Sequence, residues 1–316
     1  MRFTKFHGYG NDYLVFEAGR LAFEAGQHAP AGWRAGFERF GEAGAFVEFV
    51  RRVCDRHFGA GADGVAVVEH LDAGDDADFT LRIFNPDGSE AAMSGNGSRC
   101  AAACLYFEGL WSNEELRFRT RAGVKLFRLR GHEGRTRFRF EAEIGRPRFD
   151  SASVPISTPE PLAEVRDYPL AVGEGEQVAV TALQMCNPNC CVFVEDFGRV
   201  DWRRLGRAIE SHASFPERTN VEFIRVLDRR NIEARVWERG AGETLSSGTG
   251  ACAAAVASMI GGRTDRRVSV HMPGGLLEVL WREDGEVLLT GEAEAVYRGE
   301  WLEETTGRRG DGETGR

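Results

Sequence analysis

Two serines stand in matched surroundings. Gly88-Ser89-Glu90-Ala91-Ala92-Met93-Ser94-Gly95-Asn96-Gly97 runs into Ser98-Arg99-Cys100 and the small-residue run Ala101-Ala102-Ala103. Gly242-Glu243-Thr244-Leu245-Ser246-Ser247-Gly248-Thr249-Gly250 leads into Ala251-Cys252-Ala253-Ala254-Ala255. In both, a Glu precedes the Ser by four positions and Ser-Gly-x-Gly opens an Ala-rich segment. Serine is a favoured N-cap, and flanking glycines let a backbone approach closely and expose its amides. The Ala/Cys/Val/Met run that follows lacks a polar face, which predicts a helix buried all round. The first N–H groups of such a helix, with its dipole, favour an anion such as a carboxylate. Two such starts meeting at an interface would hold one anionic ligand between them. A phosphate site ranks below this reading, because no Gly-Lys-Ser/Thr follows and no acidic residue completes a dinucleotide fingerprint.

The elements that must position these serines follow from the same repeat. Ser94 and Ser247 lie 153 residues apart in a chain of 316. A duplicated unit explains this most simply, with two similar domains facing each other across a pseudo-two-fold. Arg2 to His7 alternates as a strand, Gly8-Tyr9-Gly10-Asn11-Asp12 turns, and a second strand runs from Tyr13 to Glu17. Phe46 to Val53 has helical spacing. Asp78 to Phe84 reads as a strand, followed by the turn Asn85-Pro86-Asp87-Gly88, and Leu116 to Phe149 alternates as a β-meander. Pro155 to Pro169 holds four of the ten prolines and reads as a link between domains. The Ala/Gly/Glu-rich stretch at 19–43 reads as a surface insertion, and the polar residues from about Thr305 as a solvated tail.

The charge balance excludes several classes. A formal net charge of −9 argues against non-specific nucleic-acid binding. No run approaches the ~18 apolar residues of a membrane span, and the opening residues do not resemble a signal peptide. The seven cysteines are unevenly spaced and mostly among apolar neighbours, which predicts reduced, buried thiols in a cytoplasmic protein. Cys186 to Cys191 lacks a second Cys/His pair at ligand spacing, so no metal is expected.

Further strings carry a resemblance: Phe6-His7-Gly8-Tyr9-Gly10-Asn11-Asp12, Gly59-Ala60-Gly61-Ala62-Asp63-Gly64 and Asn85-Pro86-Asp87-Gly88-Ser89-Glu90. Asn187-Pro188, Phe215-Pro216-Glu217-Arg218-Thr219-Asn220 and Glu238-Arg239-Gly240-Ala241-Gly242-Glu243-Thr244-Leu245 continue it in the same order. Over most of its length the chain resembles the diaminopimelate epimerases, cofactor-independent amino-acid epimerases of lysine and cell-wall precursor biosynthesis. The resemblance implies an α/β (α+β) fold of two pseudo-symmetric domains, each a β-barrel-like sheet around a central helix. The expected division is 1–145 plus about 291–305, then 146–290, with a disordered tail at 306–316. The last strand, near Ala295 to Glu303, would return to the first domain. Asn11, Asn85, Asn187, Asn220, Glu238 and Arg239 would contact the amino and carboxylate groups of a small amino-acid substrate. Gly95-Asn96 and Gly248-Thr249 would present helix-start amides to the reacting carboxylate. No cofactor is implied, and a homodimer is the implied assembly.

Three positions depart from the family pattern. The two acid/base cysteines of the family are replaced by Ser94 and Ser247, and the His after Asn-Pro by Asn189. A thiol, with pKa near 8.5, is readily tuned to thiolate at a helix start; a serine hydroxyl needs a separate base. Cys100 and Cys252, one to two turns into the helices, are expected to point into the core. Two readings therefore stand. One is an isomerase interconverting LL- and meso-diaminopimelate, or one shifted to other acid–base chemistry. The other is a non-catalytic relative that binds an amino acid in the same cleft.

Overall fold

The structure, a computed structural model, describes residues 1–18, 43–72, 74–173 and 175–302. The stretch expected to be an insertion (its Ala43 aside) and the expected tail lie outside these residues. Alternating burial builds β1 (Arg2–Gly8) and β2 (Asn11–Glu17), joined by a turn in which Tyr9 and Gly10 both take positive φ. Helix α1 (Ala43–Cys54) leads to β3 (Gly64–His70), β4 (Phe79–Phe84) and the two-residue β5 (Glu90–Ala91). Helix α2 (Gly95–Phe107) follows, then the meander β6 (Glu115–Thr120), β7 (Gly123–Glu133) and β8 (Arg137–Gly145).

The second half repeats this order. After β9 (Val165–Gly173) come β10 (Glu176–Gln184), β11 (Pro188–Phe193), α3 (Trp202–Glu210) and β12 (Asn220–Val226). Then come β13 (Asn231–Glu238), β14 (Gly242–Thr244), α4 (Gly248–Ile260), β15 (Arg267–Met272), β16 (Gly275–Trp281) and β17 (Val287–Glu300).

Strand pairing repeats with the order. The pair β2–β3 is parallel, as is β11–β12; α2 and α4 each carry a crossover to a second parallel pair, β4–β6 and β13–β15. The other neighbours within each unit are antiparallel hairpins. The fold expected from the resemblance is met: two pseudo-symmetric α/β units, each a curved sheet on a central helix.

Closure differs between the two. The long β17 runs beside β8 from Val287 to Glu294 and beside β1 from Glu294 to Glu300. It closes an eight-strand barrel, β1-β2-β3-β4-β6-β7-β8-β17, which abolishes the free edge. In the second unit β9 pairs only with β10 among the described strands. Residues 151–164 are without strand, but β9 begins at Val165 and takes Pro169 within it, opposite Ala179. An edge strand tolerates that proline because one side of its ladder is unused.

Small side chains explain how strands wrap the helices. Cys100 to Ala103 and Leu105 in α2, and Ala251 to Val256 in α4, are fully buried. Phe6, Phe118, Phe127 and Phe140 close around α2, and burying each contributes roughly 1.5–3 kcal/mol. Six cysteines are buried as expected; Cys186 is the correction, exposed in the β10–β11 turn where its φ is +65°. No helix of the described residues is long and apolar enough to cross a membrane.

Candidate active site

The two helix starts meet head to head. Ser94 and Ser247 are the N-caps of α2 and α4, with nearly equal backbone angles (φ −134°, ψ 124° and φ −131°, ψ 126°). Each hydroxyl accepts from the amide three residues on, Gly97 at 3.1 Å and Gly250 at 3.3 Å. A Cβ on Gly95 would stand 3.4 Å from the Gly248 Cα, and one on Gly248 3.3 Å from the Gly95 Cα. Glycine at both positions brings the two backbones this close with nothing between them. The first amides of each helix, including those of Asn96 and the half-buried Thr249, have no acceptor within the helix. Two dipole ends, each near half a positive charge, converge on one place.

Different neighbours serve the two serines. Tyr13 Oη lies 2.9 Å from Ser94 Oγ, and burial pushes the Tyr13 pKa up. On the other side Glu238 accepts from Thr244 Oγ1 at 2.7 Å and lies close to the Ser247 hydroxyl. Burial raises the Glu238 pKa against the pull of those two hydroxyls. Glu90 and Glu243, four residues before each serine, are occupied elsewhere. Arg82 donates to Glu90 at 2.6 and 2.7 Å, and Arg203 to Glu243 at 2.6 and 2.8 Å. Both glutamates brace the approach to a helix rather than reach its cap.

The asparagines form two groups. Asn11 donates to Asp63 at 2.9 Å and accepts from Asn96 Nδ2 at 3.1 Å; Asn96 also donates to the Ser246 carbonyl at 3.3 Å, crossing between units. Asp12 and Asp63 behind Asn11 are held by Arg56. Burial alone would raise the Asp12 carboxyl, but Arg56 and Lys5 outweigh it and hold the pKa at about 2. In the second unit Asn189 and Asn220 face each other in the parallel β11–β12 ladder. Asn189 donates to the Asn187 carbonyl (2.7 Å) and side chain (3.0 Å), and accepts from Asn220 at 3.3 Å. Asn220 Oδ1 then accepts the Arg239 backbone N–H at 2.8 Å. The Arg239 side chain is exposed and donates to the Glu217 carbonyl at 3.0 Å. Asn85 stands apart from these groups, exposed in the β4–β5 turn with its amide on Ser89 Oγ.

Several participants were not singled out in the sequence. Tyr13 follows Asn11 by two on β2, and Glu222 follows Asn220 by two on β12, so strand alternation places each beside a recognised residue. Glu222 is fully buried; its Oε2 accepts from Cys191 Sγ at 3.8 Å, and its Oε1 has no partner among the described residues. Burial first, then the Glu238 charge, pushes its pKa well up. A Cβ on Gly250 would stand 3.0 Å from Glu222 Oε1 and 3.1 Å from Ser247 Oγ. Cys100 lies in the core with its thiol raised to about 12, chiefly by burial, and the buried Cys252 is raised likewise. Neither is a substitute acid or base. A cavity of about 540 Å³ is lined by Tyr9, His7, Arg137, Arg139, Glu278 and Glu292 among others, and neither serine lines it.

Comparison with known proteins agrees with this frame. The diaminopimelate epimerase family profile matches residues 37–149 and 181–296. The diaminopimelate epimerase of Pelotomaculum thermopropionicum is 42% identical over 301 residues, covering 95% of this chain and 99% of that one. Diaminopimelate epimerase 1 of Nostoc sp. is 40% identical over 302 residues, with 95% and 99% covered. Among solved structures, a Bacillus anthracis protein of the PhzF phenazine biosynthesis family superposes with TM-score 0.63 at 16% identity, covering 96% of this chain and 99% of that one. A probable proline racemase from Agrobacterium radiobacter, solved with carbonate, gives TM-score 0.63 at 15% identity, covering 97% and 94%. These two share the fold. Sequence identity of this extent, running through both halves, shows that the chain belongs to the diaminopimelate epimerase family.

Proposed function

We propose that this chain is an isomerase that interconverts LL- and meso-diaminopimelate, with serines at the acid/base positions. The observation that carries the reading is the contact of Gly95 with Gly248, which sets two serine-capped helix starts against each other. The starts hold the α-carboxylate, and the two hydroxyls lie on opposite faces of the α-carbon. Asn11, Asn85, Asn187, Asn220, Glu238 and Arg239 are assigned to the rest of the amino acid. The reaction is proton-neutral: one face takes the α-proton and the other returns one.

A serine needs a partner for either task. In one direction Ser247 takes the α-proton as its own proton passes to Glu238, while Ser94 donates from the other face and takes a replacement proton from Tyr13. That turnover leaves Glu238 protonated and Tyr13 ionised; the reverse direction starts from this form, and exchange with solvent resets it. A carboxylate whose pKa is raised is a better proton acceptor than an ordinary one. The same family membership supports a cytoplasmic homodimer in lysine and cell-wall precursor synthesis.

The test is incubation of LL-diaminopimelate with the chain in D2O, followed by mass spectrometry of the α-carbon. Deuterium incorporation together with meso product supports the isomerase. Binding by calorimetry with no exchange over days overturns it and leaves an amino-acid-binding relative.

A further inference from the structure

Behind the two helix starts stands a buried cation with no ion-pair partner among the described residues. Arg99 is fully buried in α2, and its guanidinium turns back toward the start of that helix. Missing side chains make room for it. A Cβ on Gly8 would come within 3.4 Å of its Nη2, and one on Gly291 within 3.2 Å of its Nε. Cβ atoms on Gly95 and Gly248 would lie 3.8 and 3.7 Å from its Nη1. Nη2 donates to Asn96 Oδ1, whereas Nε and Nη1 have no acceptor among the described residues. The Tyr9 ring, 6.0 Å from the guanidinium carbon, offers only its face.

Stability does not account for such a residue. An unpaired buried charge is costly, and an apolar side chain of similar volume is commonly neutral or better for folding. What the position supplies is charge at a chosen place. Nη1 reaches the junction of Gly95 and Gly248, so a full positive charge is added to two helix-dipole ends.

We infer that Arg99 is a positioning residue for the α-carboxylate of the bound amino acid, a fixed counter-charge seated behind the paired helix starts. This rests on the proposed function for the identity of the ligand. Arg99 does not touch that ligand; it acts through the glycine amides and through Asn96, whose amide it orients toward Asn11 and the Ser246 carbonyl. As the α-proton leaves, negative charge builds on the carboxylate, so the counter-charge counts for more in the transition state than in the ground state.

The test uses the full chain and the variants Arg99→Met and Arg99→Lys. Calorimetry with LL-diaminopimelate and NMR titration with glycine, which carries the α-carboxylate and α-amine alone, report binding. Thermal melts without ligand report folding. Arg99→Met is expected to weaken binding at least tenfold while its unliganded Tm holds or rises, with Arg99→Lys between it and wild type. Binding by Arg99→Met within threefold of wild type overturns the inference. So does a fall in its unliganded Tm, or failure to fold, because either makes Arg99 a structural residue. If wild type binds glycine but not LL-diaminopimelate, the substrate assignment falls and the tenfold criterion on glycine decides Arg99. If wild type binds neither, both fall.

Discussion

Restoring thiols at both caps, Ser94→Cys with Ser247→Cys, should raise α-proton exchange and lower stability together. The caps share one backbone geometry, so neither helix start needs to move. A thiol there has an ordinary pKa near 8.5 that a helix start lowers, and Glu238 stands ready to take its proton at position 247. A well-placed acid or base contributes on the order of 10²–10⁴-fold, and 10² corresponds to roughly 2.7 kcal/mol of barrier. Exchange needs a base on one face and an acid on the other, so each single variant should gain little and the double at least about 100-fold. The hydrogen bonds that the Gly97 and Gly250 N–H groups donate to the side chains at 94 and 247 weaken at the same time. Loss of a serine cap costs about 1 kcal/mol, or roughly 2 kcal/mol for the pair. The assay is deuterium incorporation into LL-diaminopimelate in D2O, paired with urea denaturation of each variant. A double variant that binds the ligand yet exchanges no faster than wild type would refute the placement of both serines.

Two further outcomes follow from neighbouring groups. Asp12 is held at about pKa 2 by Arg56 and Lys5 against its burial, so it ionises in the folded chain well below its ordinary value of 3.8. That difference stabilises the fold by roughly 2 kcal/mol above about pH 4, and is lost as pH falls toward 2. The stability read from denaturation at each pH should therefore fall more between about pH 4 and 2.5 in wild type than in Asp12→Asn; an equal fall in both would sink the claim. In Gly97→Ala the new Cβ would stand 2.8 Å from Tyr13 Cε1 and 3.0 Å from Ile83 Cδ1. Tyr13 is buried and has to shift off Ser94, so stability should drop by about 1–3 kcal/mol, and a loss under 0.5 kcal/mol in urea would show that the ring is free to move.

Much was written locally. Serine before Gly-x-Gly and an alanine run is a cap, an exposed set of amides and a buried helix, whatever surrounds it, because those properties belong to a few consecutive residues. Copying the string at half the chain length announced two units, and the short strings around Asn11, Asn187 and Glu238 announced the family. Strand periodicity located β1, β2 and the meander β6 to β8 for the same reason.

What the linear order could not decide is which groups face each other. That Gly95 lies on Gly248, that Tyr13 bonds Ser94 while Glu238 lies by Ser247, and that Glu90 and Glu243 are tied up by Arg82 and Arg203, all depend on how separate strands and helices pack. The closing of one barrel by β17, and the seating of Arg99 in a gap left by glycines from four separate segments, are of the same kind. A residue type and its spacing set what a side chain is able to do. Only packing in three dimensions fixes its partner, its exposure to water and therefore its charge.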